Sequence, residues 1–131
     1  MKILVTGARG VVGRPLTELL AARGEHVRAA GRNLSALGHS AGAVEPVLMD
    51  FRDPETFAPA LAGVDRVFLS YPMDLGDPAP VERFLESVKA AGERLLVFHS
   101  FAGADKNAFP PHYRIERAIE KSGIPHTILR T

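Results

Sequence analysis

Short apolar runs alternate along this chain with stretches whose apolar residues recur every three or four positions. The runs predict strands at Lys2–Thr6, His26–Ala30, Val44–Met49, Arg66–Ser70, Leu95–Ser100 and His126–Arg130. The helical spacing predicts helices at Val12–Arg23, Pro54–Leu61, Ala79–Ala91 and Pro111–Ser122, with a helical turn around Leu34–Leu37. Gly24, Gly92 and Gly123 stand where helices should stop, and Asp53-Pro54 and Asp77-Pro78 supply turn or capping residues before helices. In the first helix, Leu16, Leu19 and Leu20 are expected on one face, away from Arg14, Glu18 and Arg23. Ser70–Pro80 is the one long irregular segment.

Strands and helices in strict alternation predict βαβ units: an α/β, Rossmann-type, doubly wound parallel sheet in a three-layer sandwich. Right-handed crossovers make 3-2-1-4-5-6 the natural strand order, with a ligand crevice where the order reverses, between strands 1 and 4. Gly7–Gly13, Gly31-Arg32, Asp50-Phe51, Ser70–Met73 and Ser100–Ala104 are then expected along one rim.

The richest part of that rim is Thr6-Gly7-Ala8-Arg9-Gly10-Val11-Val12-Gly13. Glycines at 7, 10 and 13 sit between the first strand and the first helix. There, backbone N–H groups and a helix N-terminus can approach a phosphate closely. The pattern predicts dinucleotide binding through Gly7, Ala8, Gly10, Val11, Val12 and Gly13. A site for NAD usually carries a carboxylate about 20 residues after the glycines, on the ribose 2′-hydroxyl. Strand 2 instead ends Ala29-Ala30-Gly31-Arg32-Asn33. Arg9 and Arg32 can fork a 2′-phosphate, which favours NADP, with NAD as the alternative; solvated arginines are the plain reading. Asp50 can accept from an adenine amino group with Phe51 beside the ring, or it can simply shape the turn before Asp53–Thr56.

Catalytic candidates lie further on. Ser100, Tyr113 and Arg117 match the Ser-x12-Tyr-x3-basic spacing of short-chain dehydrogenases, in which tyrosine hands a proton to the carbonyl oxygen and serine orients the substrate. His112 titrates near neutrality and is either a proton donor or a surface histidine at a helix start. His26, His39, His99 and His126 show no metal-ligand spacing and read as structural or exposed.

Composition narrows the classes. The 131 residues, 46% hydrophobic and 24% charged with a net charge of +1, suit one dinucleotide-binding domain without a basic stripe for nucleic acid. The absence of cysteine excludes disulfides and thiolate chemistry. No apolar run approaches a membrane span, so the expectation is a cytoplasmic protein acting on a small molecule. A homodimer is an open alternative, as the helices show no exceptional apolar surface.

Four segments together resemble the NmrA-like branch of the atypical short-chain dehydrogenase/reductase family. They are Thr6-Gly7-x-x-Gly10-x-x-Gly13, Asp50-Phe51, Gly63–Ser70 and Ser122-Gly123-Ile124-Pro125-His126-Thr127-Ile128-Leu129-Arg130. The resemblance runs from Met1 to Thr131. It implies an NAD(P)H-dependent reductase of the quinone-reductase-like kind, or a regulator that binds the dinucleotide without turnover. Anchored on Glu116 and Thr127–Arg130, it puts the family's lysine position on His112 and its tyrosine position on Ala108. The usual Tyr/Lys pair is then absent, and Ser70, Tyr71 and Ser100 would line the nicotinamide ribose with His112 near the acceptor. It further implies that a substrate-binding region follows Thr131.

Overall fold

The computed structural model of the protein describes residues 1–34, 43–92, 95–106 and 110–131. The turn expected beyond Leu34, His39 and Ala108 lie outside them.

The strands are β1 (Lys2–Val5), β2 (His26–Gly31), β3 (Val44–Leu48), β4 (Arg66–Leu69), β5 (Leu95–Ser100) and β6 (His126–Arg130). The helices are α1 (Gly13–Ala22), α2 (Phe57–Leu61), α3 (Ala79–Ala91) and α4 (Pro110–Ser122), with 3-10 turns at Pro54–Thr56, Met73–Leu75 and Ala104–Lys106. All six strands pair in parallel in the order 3-2-1-4-5-6, as the alternation of elements predicts. The expected helix at Pro54–Leu61 is a 3-10 turn capped by Asp53, whose Oδ1 accepts from the Glu55 N–H, followed by a short α-helix.

Central strands are buried on both faces, so β1 reads as a continuous apolar run. Leu4 packs with α2, α3 and α4 on one face, while Val5 packs with Leu16 and Leu20 of α1 on the other. Leu19 does not share that face: it is 61% exposed. At 3.6 residues per turn, Leu16 and Leu20 already fill the groove above β1 and β2, and Leu19 turns outward. Pro46 is accommodated in β3 because that strand forms an edge of the sheet.

The larger core holds an edge-to-face aromatic cluster of Phe51, Phe57, Tyr71 and Phe84, with centroids 5.1–6.4 Å apart. Arg28 is also buried. It donates to Glu45 and to the carbonyl oxygens of Pro59, Ala60 and Ala62, tying β2 and β3 to the end of α2. The hydrogen bond and charge of Arg28 hold the Glu45 carboxyl below its ordinary range.

Candidate functional site

β1 pairs with β2 on one side and β4 on the other, so the chain winds outward in both directions from this point. The crevice above it is created by the connections, which leave β1 and β4 toward opposite faces. Its two walls are joined by Thr6. The Thr6 hydroxyl accepts from the Ser70 N–H at 2.8 Å and donates to the Ser70 carbonyl oxygen at 3.2 Å.

Each glycine of the turn meets a different steric limit. Gly7 has φ +62° and its Cα lies so close to Ser70 that a Cβ would meet the serine Cβ at 3.3 Å. The Gly10 N–H donates to the Gly7 carbonyl oxygen at 2.9 Å, closing the turn. Gly13, the first residue of α1, has no room for a side chain: a Cβ would stand 2.0 Å from that same oxygen. The helix therefore starts directly on the turn. No side chain caps it, and its first turn holds no acidic residue, so its positive end is left to an external anion.

A cleft of about 280 Å³ opens beside this turn. Gly7, Ala8, Arg9 and Gly10 line one end, Gly31, Arg32 and Asn33 the side, and Met49, Asp50 and Phe51 the far wall. Pro72 and Leu75 close the opposite wall. Four separate loops, all at the carboxyl ends of strands, thus converge as the switch-point rule requires. Arg9 and Arg32 are both exposed, and the residues at the end of β2, Gly31-Arg32-Asn33, include no carboxylate. Val11 and Val12 stand outside the cleft lining, 94% and 39% exposed above the helix start.

Asp50 and Phe51 have partners of their own. Asp50 Oδ1 accepts from the Arg52 N–H at 2.9 Å, and the Asp50 N–H donates to Thr56 Oγ1 at 3.0 Å. This is the turn-shaping alternative of the sequence, with the half-buried carboxylate still facing the cleft. Phe51 is 8% exposed and belongs to the aromatic core while also lining the cleft.

Other candidates lie apart from the cleft. Tyr71 is 4% exposed, and its hydroxyl donates to the Asp77 carbonyl oxygen at 2.6 Å. Burial, with Asp77 nearby, pushes its pKa up. Tyr71 thereby braces the segment that carries Pro72 and Leu75. Ser100 is fully buried at the end of β5, and its hydroxyl donates to Glu116 Oε2 at 2.6 Å. Arg130 completes that cluster, donating from Nη2 to Glu116 Oε1 at 2.7 Å and from Nε to Oε2 at 3.3 Å. The Arg130 and Ser100 hydrogen bonds outweigh burial and hold the Glu116 carboxyl below its ordinary range.

Tyr113 is partly buried on α4, with the Arg117 guanidinium 5.3 Å from its ring centre. The Ser100 hydroxyl engages Glu116 rather than Tyr113, so the dehydrogenase-like spacing does not produce a Ser–Tyr pair. His112 is not a surface histidine. It is 1% exposed, stacked on Phe98 at 5.7 Å and met edge-on by Phe101 at 4.9 Å. Its Nδ1 is buried without a hydrogen-bond partner. Burial pushes its pKa down, His99 adds to this and Glu116 opposes it, so the ring is neutral at pH 7.

Thr6 and Pro72 fall within the segments expected at the rim, whereas Asn33 and Leu75 complete the cleft from just beyond them. Leu75 had no signal, because its position depends on how the irregular segment folds back. Among the described residues there is no cluster of three potential metal ligands, and no helix is long and apolar enough to cross a membrane.

A parallel sheet of this order, with a glycine turn and an uncapped helix at its switch point, defines a dinucleotide-binding domain. The chain belongs to the NAD(P)H-binding family, whose sequence profile matches residues 7–131. It is 35% identical over 136 residues to prestalk A differentiation protein A of Dictyostelium discoideum, covering 99% of this chain and 44% of that protein. It is 29% identical over 135 residues to quinone oxidoreductase 2 of Escherichia coli K12, covering 98% and 47%. Among solved structures, the NADPH complex of an E. coli NADPH-dependent quinone oxidoreductase superposes with a TM-score of 0.86 at 28% identity, over 98% of this chain and 48% of that one. The NADP(H) complex of Citrobacter triphenylmethane reductase gives 0.81 at 27% identity, over 100% and 49%. The chain spans about half the length of these relatives.

Proposed function

We propose that residues 1–131 form a single dinucleotide-binding unit of an NADPH-dependent oxidoreductase acting on a quinone-like or other conjugated small molecule. The observation that carries this reading is the cleft itself. A glycine turn too tight for side chains and two exposed arginines converge there, with no carboxylate at the end of β2.

In this reading Gly7, Ala8, Val11, Val12 and Gly13 hold the pyrophosphate through backbone N–H groups and the end of α1, while Gly10, whose N–H is engaged by the Gly7 carbonyl oxygen, keeps the turn closed and free of a side chain beside it. Arg9 and Arg32 fork the 2′-phosphate, which an ammonium or a carboxylate would bind less well or repel. Asp50 accepts from the adenine amino group through the carboxylate oxygen not engaged by Arg52. Ser70, fixed by Thr6, sets the distance between the turn and β4. Bound NADPH supplies the hydride. A conjugated acceptor delocalises the charge it gains, so this chain has no need of a tyrosine acid at Ala108. His112, neutral and walled by phenyl rings, keeps a low-dielectric surface near β5 rather than a charged one.

The test is to mix the protein with NADPH and a panel of quinones and follow loss of the reduced-nicotinamide absorbance. Reduction of at least one quinone, with little turnover on NADH, is the expected result. Binding of NADPH without reduction of any acceptor would instead support a dinucleotide sensor. The engaged Ser100 hydroxyl and the buried His112 are what favour that second reading.

A further inference from the structure

The Glu116 carboxylate is fully buried, yet it is not in the cleft. It sits on α4 one turn after His112, on the same buried face. Its partners come from two other elements. Ser100 ends β5, Arg130 ends β6, and the two are direct cross-strand neighbours. One carboxylate thus ties a helix to the carboxyl ends of β5 and of the edge strand β6. Arg130 also stands 3.9 Å from Asp105, so the tie extends to the turn at Ala104–Lys106. Two backbone bonds continue it: the Ala102 N–H to the Thr131 carbonyl oxygen at 3.0 Å, and the Thr131 N–H to that of Ser100 at 3.4 Å.

Phe101 follows Ser100 immediately, inside this frame, and its ring meets His112 edge-on at 4.9 Å. The frame therefore controls where Phe101 and His112 stand relative to one another.

We infer that Glu116 is a positioning residue for the acceptor side of the site, holding Ser100 and Arg130 and through them the Phe101–His112 pair. The inference rests on the hydride-transfer reading for its consequence, though not for its geometry. A buried carboxylate of this kind is costly to keep unless its partners are fixed, and here they are the two strand ends that bound the rim. Replacing it with an amide of the same shape keeps the volume but removes the charge that organises both partners. Two titratable groups act on the His112 ring, His99 from β5 and Glu116 from α4, while Arg117 and Arg130 pair with the Glu116 carboxylate and Asp105 with Arg130. Glu116 is the member of this set that favours protonation of the ring, while His99 disfavours it.

The experiment compares wild type, Glu116→Gln and Ser100→Ala in the full chain, by NADPH titration, quinone turnover and the NMR titration of the His112 ring. For Glu116→Gln the expected result is unchanged NADPH affinity, a kcat lower by about tenfold or more with KM for NADPH held, and a His112 titration moved to lower pH. Ser100→Ala removes one hydrogen bond and leaves the charge, so it should lower kcat less and leave the titration close to wild type. Wild-type kcat and an unmoved titration in Glu116→Gln would overturn the inference. A wild-type chain that reduces no quinone would sink the hydride-transfer reading, and the His112 titration would still decide whether Glu116 positions the ring. If Glu116→Gln does not fold, Ser100→Ala decides: a kcat equal to wild type, or where there is no turnover unchanged Phe101 and His112 ring shifts, would overturn the inference.

Discussion

The carbonyl oxygen of Gly7 occupies the place where a side chain on Gly13 would have to begin, 2.0 Å from the position of its Cβ. Backbone, not a flexible side chain, fills that space, so it cannot yield cheaply. Gly13→Ala should therefore push α1 off the turn. We expect a loss of about 3 kcal/mol in stability, from overpacking, together with loss of NADPH binding. Denaturant unfolding and a dinucleotide titration check the two effects. Gly24→Ala is the control: nothing lies within 4 Å of its Cβ, and only the strain of its positive φ is at stake.

Tyr71 tests the distinction between bracing and binding. Its hydroxyl donates to the Asp77 carbonyl oxygen inside the segment that forms one cleft wall. Tyr71→Phe should cost about 1 kcal/mol of stability, the usual net worth of such a bond, and leave NADPH affinity unchanged. A large loss of affinity with intact stability would place the hydroxyl on the dinucleotide instead.

Arg28 should matter to stability alone. Arg28→Leu leaves three carbonyl groups at the end of α2 without their donor. The expected loss is about 2–3 kcal/mol with no change in dinucleotide preference. Thermal unfolding beside an NADPH and NADH titration checks both parts.

The pH dependence of stability follows from His112. Its folded pKa lies below the ordinary value of 6.5, because burial disfavours the charged ring. The unfolded chain therefore takes up this proton first as pH falls. The stabilisation is complete above about pH 6.5 and declines as pH falls from there toward the folded pKa. Glu116, also lowered, adds a further decline below its ordinary 4.5. Unfolding free energies at pH 7.5 and pH 5.5 should differ, and His112→Phe should flatten that difference. Equal pH dependence in the variant would show that the ring is not the titrating group.

Much of the fold was legible because its signals are local. Six apolar runs, three helix-ending glycines and two Asp-Pro steps place nearly every element, and the alternation of types dictates a parallel sheet. The phosphate end of the site was legible for the same reason: Gly7, Gly10 and Gly13 do their work within one turn. What failed to show was everything set by partners distant in sequence. Ser100 looks like an available hydroxyl until Glu116, 16 residues on, takes it. Tyr71 and Phe51 look like site aromatics, and their packing with Phe84 of α3 in the core, with Phe51 still lining the cleft, depends on a helix far along the chain. Leu19 fits the apolar stripe of α1, yet the width of the groove over β1 and β2 leaves it exposed. His112 reads either as a proton donor or as a surface residue, because its two covering rings, Phe98 in β5 and Phe101 just after it, come from elsewhere in the chain.

The cleft is read above all as a site for a dinucleotide bearing a 2′-phosphate, through Arg9 and Arg32. The most direct measurement is the affinity of the chain for NADPH and for NADH, in wild type and in Arg32→Ala. The wild type should prefer NADPH. The variant should lose about 10- to 100-fold in NADPH affinity, the worth of a charge-assisted hydrogen bond, while NADH affinity stays nearly constant. Equal weakening of both, or no preference in the wild type, would contradict the account.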